Sequence, residues 1–88
     1  MKAFTKQPRD HLDYEIDLSE WLDAEDRIQN VSMTVPDGIE VTHYGFSDHR
    51  VVLWVKGGES GQQYSISPLI YTNSRTKEVD LLFVVEDI

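Results

Sequence analysis

The run Leu12-Asp13-Tyr14-Glu15-Ile16-Asp17-Leu18-Ser19-Glu20-Trp21-Leu22 changes period half-way along. Up to Leu18 the alternation is strict, so Leu12, Tyr14, Ile16 and Leu18 face one side of a strand and Asp13, Glu15 and Asp17 face the other. This is a strand with one dry face and one wet face. From Asp17 onward the apolar spacing becomes three and four (Leu18, Trp21, Leu22), and Asp17 followed by Glu20 has the form of a capping box. The pattern predicts one or two helical turns over Leu18 to Ala24. Trp21 and Leu22 on such a turn are placed to plug the open end of a two-sheet core, where no strand supplies side chains.

Reading outward, strands are expected over Arg27 to Val35, with Ile28 one residue out of register, over Ile39 to His43, and over Arg50 to Lys56. Two more are expected over Gln63 to about Thr72 and Lys77 to about Val85. Pro36-Asp37-Gly38 is a turn with fixed φ at one corner and free φ at the other. Tyr44 to Asp48 reads as a bend, and Gly57-Gly58-Glu59-Ser60-Gly61 as a connection rather than a phosphate cradle, because it leads into a strand. Pro68 cannot donate to a ladder, which predicts an edge position or a bend for its strand. No stretch carries a helix of ordinary length. The expected fold is therefore all-β: a small antiparallel immunoglobulin-like or fibronectin-III-like sandwich of about six to seven strands with one short helical turn.

Eighty-eight residues make one domain. Residues 1–9 lack periodicity and carry Lys2, Lys6 and Arg9 without an acid, so they read as a flexible basic arm before a sandwich domain over 10–88. Residues 10–26 then carry Asp10, Asp13, Glu15, Asp17, Glu20, Asp23, Glu25 and Asp26 with no Lys or Arg. A basic arm beside an acidic face is suited to head-to-tail contact between copies. The formal charge of −8 argues against nucleic-acid binding. The chain contains no cysteine, which removes disulfides and thiolate metal sites. No apolar run is long enough for a signal peptide or a membrane span, so the expected product is soluble and made in a reducing cytoplasm.

The pattern Lys6-Gln7-Pro8, Leu12-Asp13-Tyr14, Asp17 to Leu22, Asp26, Ile28 and Thr34-Val35-Pro36 resembles the small virion proteins of tailed bacteriophages called fibre-tail adaptor proteins. Val52 to Gly58, Gly61, Tyr64 and Tyr71 to Arg75 fit as well, so the resemblance covers about Lys6 to Val85. It departs from the family pattern at Gln7 and at Leu18. The resemblance implies a non-enzymatic structural protein of the virion, made in the host cytoplasm. It would join tail components through contacts with tail, fibre or neck proteins, with homo-oligomers a further option. A capsid decoration or head-neck protein is the alternative, followed by a carbohydrate-binding module using Trp21, Trp54, Tyr44 and Tyr71.

Two strands are apolar on both faces, whereas a two-layer sandwich needs only its inner faces apolar. Val52, Trp54, Leu82 and Val84 are surplus, and with Lys2, Lys6 and Arg9 they are the expected partner-binding residues. If their strands share a sheet, the four apolar residues form one patch. His11 with Asp13, and His43 with Asp48 and His49, have a metal-like look but fall short of a ligand set, and the Asp10 to Asp26 acids lack the D-x-[DN]-x-[DN]-G loop of a calcium site. No catalytic residue, metal site or cofactor is expected.

Overall fold

The computed structural model describes residues 2–87; Met1 and Ile88, which begin the expected arm and end the expected domain, lie outside the described residues. Eight strands follow one another: β1 (Lys2–Lys6), β2 (Leu12–Asp17), β3 (Ile28–Thr34), β4 (Ile39–Phe46), β5 (Arg50–Gly57), β6 (Gln63–Thr72), β7 (Thr76–Glu78) and β8 (Leu81–Val85). One sheet has the order β1-β8-β6-β3, with β7 also on β6, and the other the order β2-β5-β4. Every pairing is antiparallel except β1 on β8. The second, fifth and fourth strands in one layer facing the third, sixth and last in the other is the immunoglobulin-like arrangement, with the first strand laid parallel on the last.

Alternation places the core. Val51, Leu53 and Val55 from β5 meet Ile66 and Ile70 from β6 and Leu81, Phe83 and Val85 from β8, all fully buried. Ile16, Leu18, Ile28, Val31 and Ile39 complete it. Phe4, Tyr14 and Phe83 close the side where β1 lies over β2, with ring centroids 4.9 to 5.2 Å apart. The Tyr14 hydroxyl is buried there without a partner. Burial, with Asp10 and Asp13 nearby, pushes its pKa above the ordinary phenol value. Below pH 10 this group is neutral in both states; as pH rises past 10 the unfolded chain loses its proton first, so folding loses stability. Tyr14→Phe keeps the ring stack, removes the orphan hydroxyl and is expected to raise stability by about 1 kcal/mol. It should also flatten the alkaline fall in thermal midpoint, measured by circular dichroism between pH 8 and pH 11.

Several expectations change in three dimensions. Lys2–Lys6, expected within a flexible arm over 1–9, form β1 because β8 offers them a free edge, pairing Lys2 with Leu81 through Lys6 with Val85. The helical segment is a single turn, closed by Trp21 and Leu22 N–H groups on the Leu18 carbonyl. Asp17 caps it by accepting the Ser19 N–H at 2.9 Å, which holds the Asp17 carboxyl below the usual carboxylate range, but Glu20 makes no reciprocal bond. Trp21 and Leu22 pack against the core, as a plug would. β4 runs on through Phe46, and the bend falls at Asp48 and His49. The strand expected from Lys77 to Val85 is cut in two at Val79 and Asp80.

Pro68 explains that cut. β6 is a central strand, not an edge, pairing β3 on one side and both β8 and β7 on the other. Pro68 sits between the β8 and β7 stretches and has no N–H to give, so the ladder lapses there and only its carbonyl is used, by Val79 N–H at 3.0 Å. The expected irregularity near Ile28 is present as a register shift between Ile28 and Asn30. Gly38 has φ of +97° in the Pro36-Asp37-Gly38 turn, which joins β3 in one sheet to β4 in the other. Gly58 has φ of +93° and lies so close to Val85 that a Cβ would stand 2.7 Å from it.

Candidate functional site: two apolar outer faces

β5 and β8 belong to different sheets, so the four surplus residues do not form one patch. Val52 and Trp54 lie on the outer face of the three-stranded sheet, Leu82 and Val84 on the outer face of the other. All four are half-buried. Alternation fixes this, since Val51, Leu53, Val55, Leu81, Phe83 and Val85 take the inner positions on the same two strands.

Around Leu82 and Val84 the cross-strand neighbours are small or uncharged: Ala3 and Thr5 on β1, Ser65 and Gln63 on β6. This face is flat and weakly polar. The Trp54 face is richer. Its register neighbours are Asp13 on β2 and His43 on β4, while Val52 stands between Glu15 and Gly45. The His43 ring stacks on Trp54 at 5.2 Å and the His11 ring meets its edge at 5.9 Å. Thr42 Oγ1 lies 2.8 Å from His11 Nε2 and 3.3 Å from His43 Nδ1, so one hydroxyl holds both rings. Glu15 and Asp17 share Arg50 at 3.4 and 4.0 Å, which partly neutralises the acidic strand.

A bulge builds this site. The β4–β5 register shifts between Val41 and His43, so His43, which the sequence places with Ile39 and Val41, stands on the opposite face beside Trp54. Sequence reasoning missed both His residues as neighbours of Trp54. The extra residue, Thr42, leaves only a weak signal, namely apolar side chains at Tyr44 and Phe46 after an alternation that would turn them outward.

The three basic residues disperse. Lys2 is exposed, with its ammonium 5.5 Å from the Phe4 ring. Arg9 is exposed in the loop after β1. Lys6 is 1% exposed and donates to the carbonyls of Gln7 and Gly57 at 2.7 and 2.6 Å, so its charge is spent inside the molecule. Desolvation lowers its pKa from the ordinary lysine value, against a smaller opposing pull from Asp10. The unfolded chain therefore holds more protons between the lowered and the ordinary pKa, and stability rises with pH through that window. Lys6→Met should abolish this rise, read as the thermal midpoint of each protein from pH 7 to pH 10.

Among the described residues, no group of three or more His, Cys, Asp or Glu side chains is placed to hold a metal ion. His11 turns to Thr42 rather than to Asp13, and Asp48 pairs with Arg27 at 3.6 Å rather than with His43. No helix in the described residues is long and apolar enough to cross a membrane.

The family described as Podophage GP4 fiber-tail adaptor protein gp77 matches residues 6–84. The chain belongs to this family. No curated protein and no solved structure matches it. The fibre-tail adaptor family is one of phage structural proteins, in keeping with an all-β sandwich.

Proposed function

We propose that this fibre-tail adaptor joins a tail component to a fibre component of the virion by protein–protein contact, with one outer face of the sandwich for each neighbour. The observation that carries the reading is the placement of Val52 with Trp54 and of Leu82 with Val84 on opposite outer faces. A joint needs two surfaces that can be occupied at once, and a rigid core about two side-chain layers thick keeps them apart at fixed angle. The Trp54 face, with its flanking imidazoles and carboxylates, suits a polar partner surface with a basic rim; the Leu82 face suits a flat apolar one. Lys2 and Arg9 remain available as rim charges, whereas Lys6 does not.

The test is particle composition. A phage lacking the chain is complemented with Val52→Thr/Trp54→Ser or with Leu82→Thr/Val84→Thr, and purified particles are quantified by mass spectrometry. Each double variant is expected to keep its fold and to lose one neighbour. Unchanged fibre and adaptor occupancy in both, or attachment of the chain to the capsid lattice, would overturn the reading.

A further inference from the structure

We infer that the Trp54 face takes an arginine-bearing segment of its neighbour, and that protonation of His11 and His43 releases it. That a neighbour sits at this face rests on the adaptor role proposed above; the group that holds it and the proton that frees it are new. Register brings Asp13, Glu15 and Asp17 on β2 and Glu40 on β4 to the same outer face as Arg50 and Lys56 on β5. Arg50 is turned to Glu15 and Asp17, and Lys56 stands opposite Glu40. Asp10, in the loop before β2, accepts the Gln7 N–H at 3.0 Å. Asp13, the register neighbour of Trp54, is exposed and has no ion pair among the described residues.

A half-buried indole beside an unpaired carboxylate gives a guanidinium a ring to lie on and an acceptor for its N–H groups. The chain makes this arrangement once within itself. The Arg75 guanidinium lies 4.2 Å above the Trp21 ring, with Asp26 and Asp23 at 3.3 and 3.7 Å. At Trp54 the indole and the carboxylate are present, and among the described residues no ammonium or guanidinium lies over the ring. The part that the fold leaves out is the one a partner supplies. Lysine would meet the same charge, but its compact, strongly hydrated ammonium does not lie flat on a ring as a guanidinium does.

The two imidazoles control that place. Imidazole changes charge between pH 5 and 8, where ordinary carboxylates, lysine and arginine keep theirs. With both rings neutral, four carboxylates on this face meet two cations, and the excess is negative. With both rings protonated the face is balanced, and the new positive charges stand 5.2 and 5.9 Å from the indole that a guanidinium would use. Two unit charges at that range weaken a bound cation about tenfold in water. Thr42 lets the change happen without rearrangement. Its hydroxyl donates to the Trp54 carbonyl at 3.5 Å and keeps two lone pairs, one for His11 Nε2–H and one for His43 Nδ1–H. By linkage, a bound arginine makes both rings harder to protonate to the same extent.

The experiment titrates a hexa-arginine peptide into the full chain at about 0.15 M salt, followed by nuclear magnetic resonance of the indole N–H groups. The Trp54 signal, identified by its absence from Trp54→Leu, is expected to shift saturably at pH 8 while that of Trp21 stays. The Kd should rise about tenfold on going to pH 5.5. His11→Gln/His43→Gln should bind as well at pH 5.5 as at pH 8. Asp13→Asn should weaken binding several-fold at both pH values, whereas Glu20→Gln/Glu25→Gln, elsewhere on the acidic surface, should leave it unchanged. All these side chains lie on the outer surface, and each variant should keep its far-ultraviolet circular dichroism. An unmoved Trp54 signal at pH 8 overturns the inference. So does a pH dependence that survives the double histidine variant, or an equal loss in the two carboxylate variants, which would mean attraction to net charge alone. If Val52→Thr/Trp54→Ser strips a neighbour from particles while the peptide fails to bind, the arginine site falls and the adaptor role stands. If the peptide binds as expected and particles of that variant keep every neighbour, the site stands and the adaptor role falls.

Discussion

Replacing Phe83 by Ala lowers the unfolding free energy by about 4 kcal/mol, the range for removing a fully buried aromatic ring. Phe83 has no solvent exposure, stacks on Phe4 at 5.2 Å and takes the edge of Tyr14 at 5.0 Å. Its loss opens a cavity that neither sheet can close, because β1, β2 and β8 all lean on the same ring. A domain of this size has only about 5 to 15 kcal/mol to lose, so the thermal midpoint should drop by about 20 °C. Phe83→Leu keeps most of the volume and should lose less than half as much. Urea unfolding with an unchanged slope checks both; an equal effect of the two substitutions would show that volume is not what the site requires.

Arg75→Ala is the second large effect, at about 3 kcal/mol. The Asp26 side chain is 4% exposed, and its Oδ2 accepts from Arg75 Nε at 3.3 Å and Thr72 Oγ1 at 3.2 Å, while Oδ1 has no partner. Arg75 also donates to the Trp21 carbonyl at 3.0 Å and lies 4.2 Å above the Trp21 ring. One guanidinium thus pins the loop between β2 and β3 to the β6–β7 turn. Removing it leaves a buried carboxylate without its cation and frees the loop that carries Trp21. Since Arg75 is itself about one-third exposed, the figure is set at the lower end of the range for broken buried pairs. The Arg75→Ala/Asp26→Ala pair should lose less than the sum of the two single variants, measured by denaturant unfolding; strict additivity would mean the two groups act separately.

The residues that give these effects were readable to different degrees. Phe83 lies on a strand whose alternation marks it as inward, and the same rule places Ile16, Val51, Leu53, Val55, Ile66 and Leu81. Arg75 carries no comparable mark, because its partner Asp26 is 49 positions away and no local pattern joins them. The surplus residues Val52, Trp54, Leu82 and Val84 were correctly read as turned away from the core. Their distribution over two opposite faces was not readable, since alternation says which way a side chain points within its sheet and nothing about which sheet the strand joins.

By itself the sequence determined the all-β class, the inner residues of β2, β3, β5, β6 and β8, the Pro36-Asp37-Gly38 turn, the irregularity at Ile28 and the family. These follow from local forces: steric limits on φ, the two-residue repeat of a strand and the burial of apolar surface. Tertiary structure alone decided that Lys2–Lys6 would be a strand, that Lys6 would be buried, that Pro68 would sit in a central strand and that His43 would stand beside Trp54. Each depends on pairing between segments distant in the chain. Lys2–Lys6 becomes a strand because β8 at the far end of the chain presents unpaired N–H and C=O groups, and its own residues carry no sign of that edge.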